Sequence, residues 1–166
     1  MPPITLTLNI QEAIVKAVIN KLAAAMVAGG ALSYVTALKQ GNNDETITGQ
    51  LPCIIVSPKS ISEKFRASRF QKEMLMTLEI RGIMNVPDNS QVISSVSTDG
   101  LSVVPGICKL DADIKNVLED DLTLGGKALS FEIDTSEMAN VGGNTANTWR
   151  TVIKLTAQQV FIKGAR

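Results

Sequence analysis

The sequence contains no histidine, the side chain that most often serves as a general base or a zinc ligand near neutral pH. Its absence excludes the usual serine and cysteine catalytic triads and most zinc sites, because each of these requires an imidazole group. An enzyme built from this chain would have to use carboxylates or lysines. We therefore predict that the protein is not an enzyme.

An excess of charge of either sign is also absent, since 16 Lys and Arg residues balance 16 Asp and Glu residues. Without net positive charge, a surface releases few phosphate counterions, which argues against a dedicated nucleic-acid binder or an anionic-membrane binder. The least charged run, residues 22–38, is interrupted by Gly29 and Gly30 and is short for a membrane span of about 20 apolar residues. The first five residues lack the basic region of a secretory signal. We expect no membrane partner.

Cysteine is scarce, with Cys53 and Cys108 far apart in the sequence and both in apolar segments. A disulfide framework or a metal site would need more cysteines or closer spacing, so buried free thiols are the simpler interpretation. This cysteine usage is typical of a reducing cytoplasm.

What the sequence does contain is enough apolar material for a core: 45% of the 166 residues are hydrophobic and 19% are charged. One domain commonly spans roughly 100–200 residues, so we predict a single α+β domain over residues 1–166.

Two segments have the periodicity of amphipathic helices. From Ile10 to Ala28, apolar residues recur every four positions. Asn9 and Glu12 have the spacing of a capping box, and the two glycines that follow the segment favour its termination. A second helix is predicted from Ile107 to about Leu122.

Four segments have the character of strands. The first begins near Leu51 and can resume over 59–65 after Pro58, and residues 66–69 are predicted to form the tip of a hairpin. Residues 70–81 alternate between apolar and mostly polar side chains, which indicates an antiparallel, half-exposed sheet. Two more strands are predicted at Ala128–Glu137 and Trp149–Lys163. Residues 33–38 fit a short strand or a helical turn.

These elements predict a mostly antiparallel four-stranded sheet with two helices packed on one face, in the order α-β-β-α-β-β. Exposed loops are expected near residues 39–50, 85–106 and 140–148. The second of these is long for a compact domain, and such loops often have a function or are disordered.

No motif predicts a catalytic, cofactor or metal site. The acidic groups Asp111/Asp113 and 119–121 consist of residues one or two apart, which do not face each other on a helix, and they lack the spacing of a calcium loop. Gly125-Gly126-Lys127 lacks the spacer and the Lys-Ser/Thr pair of a phosphate-binding loop.

Clusters of opposite charge are the remaining candidate sites. Basic residues are concentrated on the predicted hairpin, where glutamates are close in sequence, so a solvated face with internal salt bridges is one interpretation. The other is that the basic cluster contacts an acidic surface of a neighbouring subunit, since complementary charges fix the register of an interface. The subunit-interface candidates are Lys64, Arg66, Arg69, Lys72, Glu119, Asp120 and Asp121.

The order of elements as a whole resembles the tail terminator, or tail completion, proteins of long-tailed bacteriophages. The resemblance is carried by the N-terminal amphipathic helix, the Leu-Pro-Cys-Ile-Ile-Val strand from Leu51, and the long hairpin that continues into Met-Leu-Met-Thr-Leu-Glu-Ile-Arg-Gly. The helix Leu-Asp-Ala-Asp-Ile-Lys-Asn-Val-Leu from Leu110 and the closing strand pair complete it. This chain differs from smaller members in its loops over 41–49 and 85–106.

The resemblance implies a structural role without a catalytic site or a cofactor. Such proteins form homo-oligomeric rings, expected here to be hexamers, at the head-proximal end of the tail. There they stop polymerisation of the tail tube protein and dock the head-tail connector protein, while genomic DNA passes through the lumen without sequence recognition. The implied location is the tail or neck of a virion assembled in the cytoplasm of the bacterial host.

Two alternatives remain open at this point. A head-to-tail connector or neck adaptor of a phage would have a similar architecture. A small-ligand-binding α/β module would instead have a concave apolar pocket with converging polar groups.

Overall fold

A computed structural model describes residues 9–41, 50–66, 71–86, 92–97, 99–142 and 147–162. The predicted loop residues 42–49 and 143–146, the hairpin-tip residues 67–69 and Lys163 lie outside these ranges. The described elements are α1 (Ile10–Ala25), β1 (Ala37–Gln40), β2 (Cys53–Phe65), β3 (Gln71–Asn85), β4 (Ser95–Val96), β5 (Val103–Val104), α2 (Ile107–Glu119), β6 (Ser130–Asn140) and β7 (Thr148–Ile162).

The first helix begins with the predicted capping box. The Asn9 side chain accepts a hydrogen bond from the Glu12 amide at 2.8 Å, and the Glu12 carboxylate accepts one from the Asn9 amide at 3.0 Å. The helix ends at Ala25, before the predicted Ala28, because the Leu32 amide donates to the Ala25 carbonyl and turns the chain back. Gly29, with a φ of +84°, lies in this turn.

The main sheet has five strands in the order β1-β2-β3-β7-β6, and it is mixed. The prediction of a mostly antiparallel four-stranded sheet was therefore wrong in strand number and in the presence of a parallel pair. The additional strand, β1, pairs in parallel with residues 53–56 of β2, and the other neighbours are antiparallel. Four residues are too few for an alternating pattern to be visible in the sequence. Residues 37–40 form a strand because their backbone pairs with β2.

The segment predicted as a loop over 85–106 contains a second, two-stranded sheet. Residues 95–96 pair with 103–104 in antiparallel register. The order of elements is thus α-β-β-β-β-β-α-β-β. Strands of two residues leave no hydrophobic period, which is why the Ser- and Thr-rich sequence did not indicate them.

Both helices pack on one face of the main sheet, as predicted. The face of β3 that carries Met74, Met76, Leu78 and Ile80 is buried against the helices. The apolar stripe of α2 is buried opposite it, and the helix ends at Glu119 rather than Leu122. Gly82 permits the close approach, since a Cβ there would lie 2.9 Å from the Leu110 Cδ2 atom. The buried stripe of α2 consists of Ile107, Leu110, Asp111, Ile114 and Leu118.

A buried hydrogen bond between Asp111 and Thr151 connects α2 to the sheet. The Thr151 hydroxyl on β7 donates to the Asp111 carboxylate at 2.5 Å, and the Lys115 ammonium lies 2.6 Å from the other Asp111 oxygen. Asp111 is therefore a structural partner within the helix packing. Cys53 is buried, Cys108 is partly buried, and both are free thiols.

Candidate assembly surface

The hairpin formed by β4 and β5, residues 92–97 and 99–104, exposes several apolar side chains and is called the apolar arm below. Leu101 is 87% exposed, and Val96 is 67% exposed. An isolated two-stranded hairpin is at best marginally stable in water, and contiguous exposed apolar side chains usually mark an interaction site. The exposed apolar residues of the arm are Ile93, Val96, Leu101, Val103 and Val104.

Hydrogen bonds fix the conformation of the arm's tip. The Ser97 amide donates to the Ser102 carbonyl at 2.8 Å, and the Ser102 amide donates to the Ser97 hydroxyl oxygen at 3.1 Å. The Asp99 carboxylate accepts hydrogen bonds from the Ser97 hydroxyl and from the Leu101 amide, the latter at 3.0 Å. These bonds hold the pKa of Asp99 below its usual value, so the group stays ionised at neutral pH. The tip therefore presents Leu101 from a preorganised turn.

A groove between α1 and β2, called the α1–β2 groove, lies on the helix face near the sheet edge, and five of its nine lining residues are apolar. It encloses about 380 Å³. Ile61 stands at its side with 42% of its surface exposed, whereas Met76 is nearly fully buried. Its lining residues are Gln11, Glu12, Val15, Lys16, Ile19, Gln40, Pro58, Ile61 and Met76.

A second concavity, of about 410 Å³, lies between the end of α2 and the start of β6 and is called the α2–β6 concavity. Phe131 and Ile133 provide apolar surface there, and Leu122 at its rim is 51% exposed. Glu119 and Glu132 are its charged members, so this concavity is acidic.

The predicted basic cluster lies on the β2–β3 hairpin, where glutamates neutralise it. The Lys64 ammonium is 3.1 Å from the Glu73 carboxylate, and the Arg66 guanidinium is 3.9 Å from the same group. Lys72 pairs with Glu63 at 3.1 Å and lies 5.1 Å from the centre of the Phe65 ring. The hydrogen bond from Lys64 is the main cause that lowers the pKa of Glu73. The fourth basic candidate, Arg69, lies outside the described residues.

The predicted acidic cluster follows α2 and has divided roles. The Asp121 carboxylate accepts hydrogen bonds from the Thr123 amide at 2.9 Å, the Thr123 hydroxyl at 2.7 Å and the Gly125 amide at 2.6 Å. These bonds lower the pKa of Asp121 to about 2. Lys21 donates to the Leu118 carbonyl at 2.9 Å and to the Asp121 carbonyl at 3.1 Å. Asp121 thus stabilises the turn after the helix.

The other acidic candidates differ in exposure. Glu119 and Asp120 are exposed to solvent. No ion pair joins the acidic and basic clusters within the part of the chain that the structure describes. Their proposed contact between neighbouring subunits remains a prediction.

Asp113, considered above as part of an acidic pair, connects α2 with the turn that precedes β1. Its carboxylate accepts a hydrogen bond from the Tyr34 hydroxyl at 2.9 Å and lies 2.7 Å from the Lys109 ammonium. Burial, followed by the contact with Asp113, raises the pKa of Tyr34. Among the described residues, no group of three or more potential ligands is arranged to hold a metal ion. Neither described helix has the length and hydrophobicity needed to cross a bilayer.

Sequence reasoning did not identify the apolar arm as a candidate site. A signal was present, because six aliphatic residues, Leu101 among them, lie in the otherwise Ser- and Thr-rich segment 92–104. The exposure of Leu101 could not be inferred, since it depends on which side chains the fold places beside it.

Among solved structures, a distant likeness is found. The chain matches no protein-family model and no curated protein sequence. A chain from the solved structure "Virion of native gene transfer agent (GTA) particle" is similar, with 11% sequence identity and a TM-score of 0.48. The match covers 95% of this chain and 100% of that chain. A likeness this distant does not establish a function for the present protein.

Proposed function

We propose that this protein is a structural virion subunit that forms a ring at the head-proximal end of a phage tail. In this role it would end polymerisation of the tail tube and provide the docking surface for the head connector. The proposal draws its specific role from the resemblance of the predicted order α-β-β-α-β-β, to which the structure adds β1, β4 and β5. The observation that supports self-assembly most directly is the apolar arm, with Leu101 at 87% exposure.

The apolar arm supports an assembly role because burying its exposed side chains against a partner would lower the free energy. Burying a Leu or Val side chain is worth roughly 1.5–3 kcal/mol relative to leaving it exposed. Several such side chains on one small hairpin therefore favour association. A ring subunit needs two different contact surfaces, since each copy contacts its neighbours head-to-tail. The arm and the concavities on the helix face are two such different surfaces.

A tube-extension assay tests the proposed role. Tail tube protein from the same virion is polymerised with and without the purified chain, and tube lengths are measured by electron microscopy. We expect the chain to bind one end of each tube and to stop extension there. Tubes that grow to the same length with no bound chain would overturn the terminator role.

The connector alternative is separated from the terminator by location. Labelled chain added to tails and to DNA-filled heads, each purified without this protein, should bind the tails first if it is a terminator. Exclusive binding to heads would assign it to the connector class instead.

The volume of the α1–β2 groove gives some support to the ligand-binding alternative, since ligand pockets commonly enclose roughly 300–1,000 Å³. That alternative predicts that a small molecule raises the melting temperature of the purified chain by mass action. A metabolite screen that raises the melting temperature, with the ring absent, would favour it over the virion role.

A further inference from the structure

We propose that the tip of the apolar arm of one copy docks in the α1–β2 groove of the next copy, with Leu101 among the apolar side chains of that groove. This inference rests on the proposed self-assembly and specifies the two surfaces that meet. It follows from three observations: the exposure of the tip, the lining of the groove, and the charges beside each of them.

The groove provides the apolar surface that the tip lacks in its own chain. Pro58 and Ile61 are exposed at the groove, and the nearly buried Val15 and Met76 also line it. Its volume of about 380 Å³ is large enough for an aliphatic side chain together with part of the turn that carries it. Leu101 inserted there would leave water without requiring a change in the fold of either copy.

Charge distinguishes the α1–β2 groove from the α2–β6 concavity. Asp99, the only charged residue of the arm's described part, lies two positions before Leu101 and is ionised. The groove carries one charge of each sign: Lys16 makes no ion pair within the described residues, and the Glu12 carboxylate accepts a hydrogen bond from the Asn9 amide in the helix cap. The α2–β6 concavity instead presents Glu119 and Glu132, which would repel Asp99. Of these two concavities, only the groove has a cation, Lys16, that can pair with Asp99 of a docked tip.

The two surfaces belong to different parts of the molecule. Met76 lines the groove, whereas the arm comes after the end of β3 at Asn85, and Met76 and Met84 lie about 27 Å apart along the strand at roughly 3.4 Å per residue. The base of the arm is held near the start of α2, where the Gly106 amide donates to the Ser94 hydroxyl at 3.2 Å. A contact between two such different surfaces is heterologous, and its repetition generates a ring when the rotation closes.

Cysteine cross-linking between separately labelled chains tests the contact. Chain carrying Leu101→Cys is mixed with chain carrying Ile61→Cys, both with Cys108→Ser, and the mixture is oxidised. Both substituted positions are exposed, so folding should be retained, and thermal melting of each variant checks this. The matched control replaces Ile61→Cys with Leu122→Cys, which is similarly exposed but lies at the α2–β6 concavity.

We expect a disulfide-linked dimer from the Leu101 and Ile61 pair and much less from the control pair. If light scattering shows an oligomer but this pair does not cross-link, the arm docks elsewhere, so the inference fails and the proposed self-assembly stands. If the chain does not oligomerise at all, both fail.

A charge reversal provides a second test that does not depend on disulfide chemistry. Lys16→Glu should weaken self-association by about fivefold or more, because it places a carboxylate beside Asp99 of the docked arm. Lys154→Glu on β7 is the matched control, since it makes the same charge change at a residue that lines neither the groove nor the concavity beside it. Equal effects of the two substitutions would contradict the proposed contact.

Discussion

The charged β2–β3 hairpin and the apolar arm differ in whether their side chains find partners within the same chain. On the hairpin, Lys64, Arg66 and Lys72 all have a glutamate partner in the same hairpin. On the arm, Leu101 and Val96 have most of their surface in water. The hairpin stands out in the sequence by its charge, and the arm stands out only in the structure.

The difference shows that local charge density is a poor guide to the need for a partner. Exposed salt bridges contribute about 0–1 kcal/mol, and a hairpin whose charges are already paired gains little from a second set of charges. Exposed aliphatic side chains on a small hairpin gain from any apolar surface that covers them. We therefore propose that the apolar arm drives self-association and that the charges of the β2–β3 hairpin stabilise the fold of the single chain.

The largest expected effect comes from making the arm polar. Leu101→Asp together with Val103→Ser should weaken self-association by about 30-fold or more, the scale of a lost interface hot spot. Unfolding free energy should change by less than about 0.5 kcal/mol, because both side chains are exposed. Sedimentation equilibrium and chemical denaturation measure the two quantities.

The control for the arm is Val27→Ser, which removes an apolar side chain of 60% exposure at the end of α1. It should leave association unchanged. An equal loss of association in the control would mean that exposed apolar area in general, rather than the arm, drives assembly.

A smaller effect, on stability alone, is expected from Glu73→Gln on the hairpin. Glu73 is nearly buried and is the shared partner of Lys64, Arg66 and the Gln158 amide, so the neutral variant should lower the melting temperature. Self-association should not change. A large loss of association with an unchanged melting temperature would reverse the roles assigned to hairpin and arm.

A still smaller effect is expected from the double change Lys64→Gln and Arg66→Gln. Both side chains are substantially exposed, so the melting temperature should fall by about 3 °C or less. If the basic cluster instead docks on the Glu119–Asp121 surface of a neighbour, the double variant should strongly weaken association. The salt dependence of wild-type association separates the two cases, since such docking would be screened at high ionic strength.

The smallest and most local effect concerns the turn after α2. Because hydrogen bonds lower the pKa of Asp121 from 3.8 to about 2, its ionised form stabilises the folded state. This stabilisation is fully present above pH 3.8 and is lost as the pH falls towards 2. Asp121→Asn should therefore have a lower melting temperature than the wild type at neutral pH. The difference between the two melting temperatures should shrink as the pH falls from 3.8 towards 2. The matched control is Asp120→Asn, which should leave the melting temperature at neutral pH nearly unchanged because the Asp120 side chain is exposed.

The sequence was sufficient to predict elements whose signal is local and long. The capping box at Asn9 and Glu12, the buried stripe of α2 and the alternation along β3 are repeated over several turns or residues, and the structure confirms them. By contrast, β1 is a strand only because residues 37–40 lie beside β2, and no four-residue pattern can contain that information.

The candidate site was less predictable because it depends on register and exposure. Charge spacing identified Lys64 and Lys72 but left two interpretations open, and the strand register placed a glutamate beside each of them. Asp121 was chosen for its charge, yet its carboxylate is engaged by Thr123 and Gly125. The 87% exposure of Leu101 depends on which side chains the tertiary structure places beside it, which residue types alone do not determine.

The proposed ring requires that copies of this chain associate through unlike surfaces and close on themselves. Light scattering of the purified full-length chain over a range of concentrations tests it most directly. We predict a molar mass that rises from the monomer and then stays at one multiple of it, as a closed ring requires. A mass that stays at that of the monomer up to the highest concentration would contradict the claim.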